Sequence, residues 1–98
     1  MISSSEFRSK YEKFYQEMRN YLWDIYTLQL LADVQMCAYT TFVDANDLKL
    51  KLEKLYMAIR QIAKDDEYLQ EAYDDFYNLV EDNLESDYYY NLYQVEEV

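Results

Sequence analysis

Apolar residues return at alternating steps of four and three through the first part of the chain. Phe7, Tyr11, Phe14, Met18, Leu22 and Ile25 are spaced to line one face of an α-helix, since about 3.6 residues complete a turn. Ser3 and Glu6 have the form of a capping box, in which hydroxyl and carboxylate satisfy the free backbone donors of a helix start. Ile2 and Phe7 flank it as a hydrophobic staple. The stripe continues through Leu28, Leu31, Ala32, Met36 and Tyr39, with no Gly or Pro to interrupt it. The pattern therefore predicts one long first helix that ends in the β-branched cluster Thr40, Thr41 and Val43, with a break near Asp33 as the alternative.

A second start follows the same grammar. Asp44 is placed to cap, Asp47 falls at the third helical position, and Val43 and Leu48 form the staple. Leu48, Leu52, Leu55, Ile59 and Ile62 then repeat the stripe, with Lys49, Lys51, Glu53, Lys54 and Arg60 outside it. Leu69, Tyr73, Phe76 and Val80 continue the same phase, so one unbroken helix also fits. Asp66, however, would fall on the apolar face, where an unpaired carboxylate is costly. The charges at Lys64, Asp65 and Asp66 suit a helix end followed by a helix start, and a short break is expected there. A last short helix is expected from about Asp87 to Val95, bringing Leu92 and Val95 to the core.

Three to four amphipathic helices without strand-like alternation predict an all-α fold, a small helical bundle or elongated helical hairpin, forming one domain over residues 1–98. A first helix reaching about 60 Å at 1.5 Å per residue is longer than such a globule needs. That length is compatible with a homodimer sharing the long stripe.

Composition narrows the chemistry. Leu, Ile, Val and Phe make up enough of the chain to support a core, although 13 of the hydrophobic residues are tyrosines with a polar tip. Gly, Pro and His are all absent, which removes phosphate-cradling loops and the commonest acid/base and metal-binding side chain. Cys37 is the single cysteine, so it forms no internal disulfide and no Cys–His pair, and it fits a reducing cytoplasm. Glu-x-x-His di-iron motifs are excluded. Asp44, Asn46 and Asp47 begin like a calcium loop but lack its glycine and closing glutamate. The expectation is a non-enzymatic protein with no cofactor and no metal. The longest uncharged stretch, Val34 to Val43, is ten residues, half of what a membrane-spanning helix needs. With the charged start from Glu6 to Lys13, this predicts a cytoplasmic protein that avoids membranes.

Charge is distributed unevenly. Residues 1–64 hold eight acids and all nine bases, whereas residues 65–98 hold twelve acids and no base. Direct nucleic-acid binding is disfavoured, because phosphate contacts need uncompensated Lys or Arg. Within the acidic segment, Glu67, Glu71, Asp74, Asp75, Asn78, Glu81, Asp82 and Glu85 fall at helical spacings on the side opposite Leu69, Tyr73, Phe76 and Val80. Seven tyrosines, Tyr68, Tyr73, Tyr77, Tyr88, Tyr89, Tyr90 and Tyr93, crowd the same third of the chain. Tyrosine is a favoured interface anchor that stacks on arginine. Tyr77, Tyr88 and Tyr89 join the acids as the predicted partner-binding residues.

In size, acidity and lack of a catalytic motif, the chain resembles small phage-encoded inhibitors of bacterial defence, including anti-CRISPR proteins and restriction or DNA-repair inhibitors that act as DNA mimics. The resemblance is one of class and composition and assigns no residue a role. It implies a phage-encoded inhibitor acting in the host cytoplasm, whose acidic face occupies the basic groove of a nucleic-acid-binding protein. The alternative is a helical interaction module, such as an immunity protein, antitoxin or adaptor, in which the acidic face only solvates the fold.

Overall fold

The computed structural model describes the backbone of residues 4–96 and the side chains of residues 5–84. It is an all-α bundle of four helices: α1 (Ser4–Met18), α2 (Ile25–Ala38), α3 (Ala45–Ala63) and α4 (Glu67–Glu96). Each helix packs antiparallel to the next and α4 returns against α1, while the backbones of the diagonal pairs α1/α3 and α2/α4 stand farther apart among the described residues. The amphipathic stripes meet along the bundle axis. Phe7, Phe14, Met18, Val34, Leu48, Leu52, Leu55, Ile59, Leu69, Phe76 and Val80 are fully buried. Phe14 from α1 packs on Tyr73 and Phe76 from α4, with ring centroids 5.8 and 6.5 Å apart. Burying each side chain of this size contributes roughly 1.5 to 3 kcal/mol.

The long first helix does not form. It breaks at residues 19–24, and neither the end at Thr40–Val43 nor the alternative near Asp33 marks the first interruption. Two short backbone bonds, Asn20 N–H to Glu17 O and Tyr21 N–H to Met18 O, close α1. The Trp23 indole N–H donates to the Met18 carbonyl at 2.7 Å. Asp24 then caps α2 by accepting from Thr27 N–H at 2.9 Å. Folding back lets Leu31, Val34 and Ala38 reach the core that Phe7, Tyr11 and Phe14 begin. A straight helix would have carried them beyond the bundle. The cost is that Leu22 and Ile25, expected on the buried stripe, are 102% and 81% exposed. With the break, the length that suggested a shared stripe is gone.

The other two junctions follow the sequence. Asp44 caps α3 by accepting from Asn46 and Asp47 N–H. The break at Lys64–Asp66 is real, and Asp66 lies at the junction, where it accepts from Tyr68 and Leu69 N–H at 3.0 and 3.2 Å. The Tyr21 hydroxyl also donates to Asp66, tying the α1–α2 connection to the start of α4. With no glycine or proline in the chain, aspartates open α2, α3 and α4. No separate last helix begins near Asp87, because α4 runs on to Glu96 without a residue that stops it. The box at Ser3, the staple at Ile2 and the side chains of Leu92 and Val95 lie outside the described residues. No helix among the described residues is long and apolar enough to cross a membrane.

Candidate functional site

The stripe Leu69, Tyr73, Phe76 and Val80 turns one side of α4 inward, which fixes where every other residue of the helix must point. At about 100° per residue, the acids fall on an arc of about 120° opposite the core. Glu67, Glu71, Asp74, Asp75, Asn78, Glu81 and Asp82 are all exposed. From Glu67 to Asp82 the face carries six carboxylates over about 22 Å of helix. Glu85, Tyr88 and Tyr89 lie outside the described side chains.

The edges of this face are less bare than the base-free sequence of α4 suggests. On the α3 side, Lys49 pairs with Glu81 at 3.5 Å, a surface contact worth under about 1 kcal/mol. On the α1 side, Lys10, Lys13, Gln16 and Glu17 line a groove with Tyr68, Glu71, Ala72 and Asp75. The ion pairs among the described residues are Lys49–Glu81 and Lys51–Asp47, so neither groove lysine closes on a carboxylate. Asp74 accepts from the Gln70 amide at 3.0 Å. The ridge thus has cations beside it and free carboxylates along its crest.

Tyr77 is turned toward α3. It stacks on Tyr73 with centroids 5.9 Å apart and donates to Glu53 at 3.0 Å. Burial first, then hydrogen bonds to Glu53 and Glu81, push its hydroxyl well above the ordinary tyrosine value. The ring that does stand beside the acids is Tyr68, 73% exposed. Sequence reasoning placed both in the acidic third but chose Tyr77 over Tyr68 for the partner-binding set, since only packing shows which ring is taken up by a neighbour. The flanking Lys10 and Lys13 were also missed. Their signal is a three-residue spacing on α1 beside the Phe7–Tyr11–Phe14 stripe, on the side that meets α4.

The other polar cluster is at Cys37. Its thiol lies 3.7 Å from Asp47, which also pairs with Lys51 at 2.9 Å. Burial above all raises the thiol from its ordinary 9.0 to about 11, the opposite of what a nucleophile needs. Among the described residues, no three His, Cys, Asp or Glu side chains are grouped to hold a metal. What the described residues offer here is surface: a row of exposed carboxylates and an adjoining tyrosine. No protein family, curated protein or solved structure matches the chain.

Proposed function

We propose that this chain is a non-catalytic inhibitor whose α4 outer face imitates the phosphate backbone of nucleic acid and occupies the basic groove of a nucleic-acid-binding protein. One observation carries the reading: six exposed carboxylates stand on one helix face, about 4.5 Å apart on average along the axis, a density of the same order as one phosphate per about 3.4 Å along a strand. Only Glu81 of the six is in an ion pair among the described residues. Like charges at i,i+4 cost a helix a few tenths of a kcal/mol each, and a row that keeps them unpaired is suited to meeting arginines and lysines from outside. Tyr68 adds a ring on which a guanidinium can stack.

The test is affinity capture by the tagged protein from nuclease-treated bacterial lysate, repeated with excess duplex DNA or structured RNA. The expected result is a nucleic-acid-binding protein that the competitor displaces and that the variant E71Q/D75N/D82N fails to capture. A partner that stays bound despite the competitor, and binds the neutralised variant equally, overturns mimicry and assigns the chain to the helical interaction modules.

A further inference from the structure

The outer face of α2 is unlike every other surface of the bundle. Asp33 is the only charged residue in the helix, whereas the outer faces of α1, α3 and α4 all carry several charges. Thr27, Leu31, Val34 and Ala38 point inward. Ile25, Leu28, Ala32 and Met36, at steps of three, four and four, form a second stripe pointing outward, with the exposed Gln29 beside it. Ile25 and Met36 are 81% and 71% exposed. Leu22 extends the stripe at one end. At the other, Phe42 lines a shallow depression with Met36. A surface helix normally keeps its large apolar residues on the side that faces the core.

We infer that this face is the contact of a symmetric homodimer, in which α2 packs antiparallel on α2 of a second copy. Three observations favour a second copy as the occupant. The first is area. Leu22, Ile25, Leu28, Met36 and Phe42 expose on the order of 600 Å² per copy at roughly 100 to 150 Å² a side chain. That reaches the top of the range for the largest apolar patch of a monomer and approaches the roughly 800 Å² each partner gives to a standard interface.

The second is self-complementarity. About a two-fold axis near the middle of α2, Ile25 lies over the partner's Met36, and Leu28 and Gln29 lie over the partner's Ala32. Large side chains thus face a long flexible one and a small one, and both contacts repeat by symmetry. Ala32 at the centre lets the two helix axes approach to the usual 8 to 10 Å or so.

The third is charge. A chain of net charge −11 resists meeting its own kind, and most of that charge is on the segment containing α4. Because α2 and α4 occupy diagonal corners of a bundle 22 by 21 Å across, pairing through α2 puts the two acidic faces about 40 Å apart. That is several times the screening length of about 8 Å at physiological salt. No other helix face would keep the acids as far apart.

The experiment is sedimentation velocity on the full chain from about 1 to 200 μM, spanning ordinary self-association affinities. The wild type should approach twice 12.0 kDa within this range. I25E and M36E should each weaken association at least about a hundredfold, with unchanged helical circular dichroism, because both positions are exposed in the monomer. M57E, on the exposed face of α3, should dimerise as the wild type does. The double variant I25K/M36E should recover association, since antiparallel pairing brings each new lysine to the partner's new glutamate. A wild type that stays at 12.0 kDa throughout overturns the proposal and leaves the face to some other apolar partner. So does a dimer that survives both single substitutions, or a double variant as weak as M36E alone. The readout is mass, so it stands or falls independently of target capture.

Discussion

Glu71 is the acid whose removal is most informative, because three carboxylates surround it on its own helix. Glu67 precedes it by four residues, and Asp74 and Asp75 follow by three and four. Each like-charge pair costs about 0.2 to 0.5 kcal/mol, so Glu71 carries roughly 1 kcal/mol of repulsion. It lies beyond the first turn of α4, where the helix dipole no longer rewards a negative charge. Across the groove, Lys10 and Lys13 oppose that repulsion. Neither comes within ion-pair distance, so their pull is at the low end of the roughly 0 to 1 kcal/mol of exposed pairs.

Glu and Gln have similar helix propensity, so E71Q should stabilise the fold by about 0.5 kcal/mol. In urea, which leaves electrostatics unscreened, a slope of about 1 kcal/mol per molar turns this into a midpoint roughly 0.5 M higher. The melting temperature should rise by about 2 to 4 °C. In 1 M sodium chloride, where the screening length is about 3 Å, most of the difference should vanish. A loss of stability of similar size would refute the reasoning. It would mean that the α1 lysines hold Glu71 as a structural partner, and that the face is less free to meet a basic protein than its geometry indicates.

Other outcomes follow from the same structure. Met18 and Leu22 lie four residues apart on the predicted stripe, yet Met18 is fully buried and Leu22 fully exposed. M18A should cost about 2 to 5 kcal/mol and L22A no more than about 0.5, by urea denaturation at a concentration where the chain is monomeric. Cys37, raised to about 11 from 9.0, holds about a hundredfold less thiolate than an ordinary cysteine at the same pH. Alkylation by iodoacetamide at pH 8 should be slowed at least in that proportion and become fast in urea; native labelling at the rate of glutathione would contradict the burial. The Tyr11 and Tyr73 hydroxyls are likewise raised by burial before any other cause. Groups with raised folded values stabilise the fold fully below their unfolded values and lose that contribution as the pH climbs toward the folded ones. Stability by thermal melting should therefore fall from about pH 9 upward, and Y11F/C37S should flatten that fall.

Much of this architecture was legible in the residues, and the part that was not has a definite cause. The stripe of α3, its Asp44 cap and the junction at Asp66 could be read because phase and capping chemistry agreed. At Asp66 the two even competed, since the phase favoured continuity, and the cost of burying a carboxylate correctly decided for a break. At residues 19–24 the apolar phase gave no sign of a break. Leu22 and Ile25 continue the spacing of Phe14 and Met18, so helical and broken chains give the same pattern. What breaks the helix is a local bond, the Trp23 indole on the Met18 carbonyl, together with two tertiary gains: Tyr21 on Asp66, and the folding of Leu31 and Val34 into the core shared with Phe14. Asp24 was the local clue, three residues before the Thr27 amide it accepts from. The outward direction of the α4 acids was readable because it is the complement of the core stripe. The Lys10–Lys13 flank and the turning of Tyr77 toward Glu53 were not, since they depend on which helix lies alongside.

The proposed mimicry makes one further demand, on salt. A protein gripping DNA releases the counterions condensed on a long array of phosphates, and raising salt from about 50 to 200 mM weakens such binding by roughly 10³ to 10⁵. Among the described side chains, the acidic row of α4 is about 22 Å long at 1.5 Å per residue and has lysines at its flanks. So short an array holds far fewer condensed ions than a duplex does, and a contact made through the exposed Tyr68 ring would not depend on their release. The inhibitor should therefore lose much less affinity than DNA does for the same groove. In competition against a fixed duplex, the concentration needed for half-displacement should fall as salt is raised over this range, measured by fluorescence anisotropy of the labelled duplex. Displacement that becomes harder in step with rising salt would mean that the acids only steer a weak encounter. The contact would then have to be carried by surfaces other than the α4 ridge.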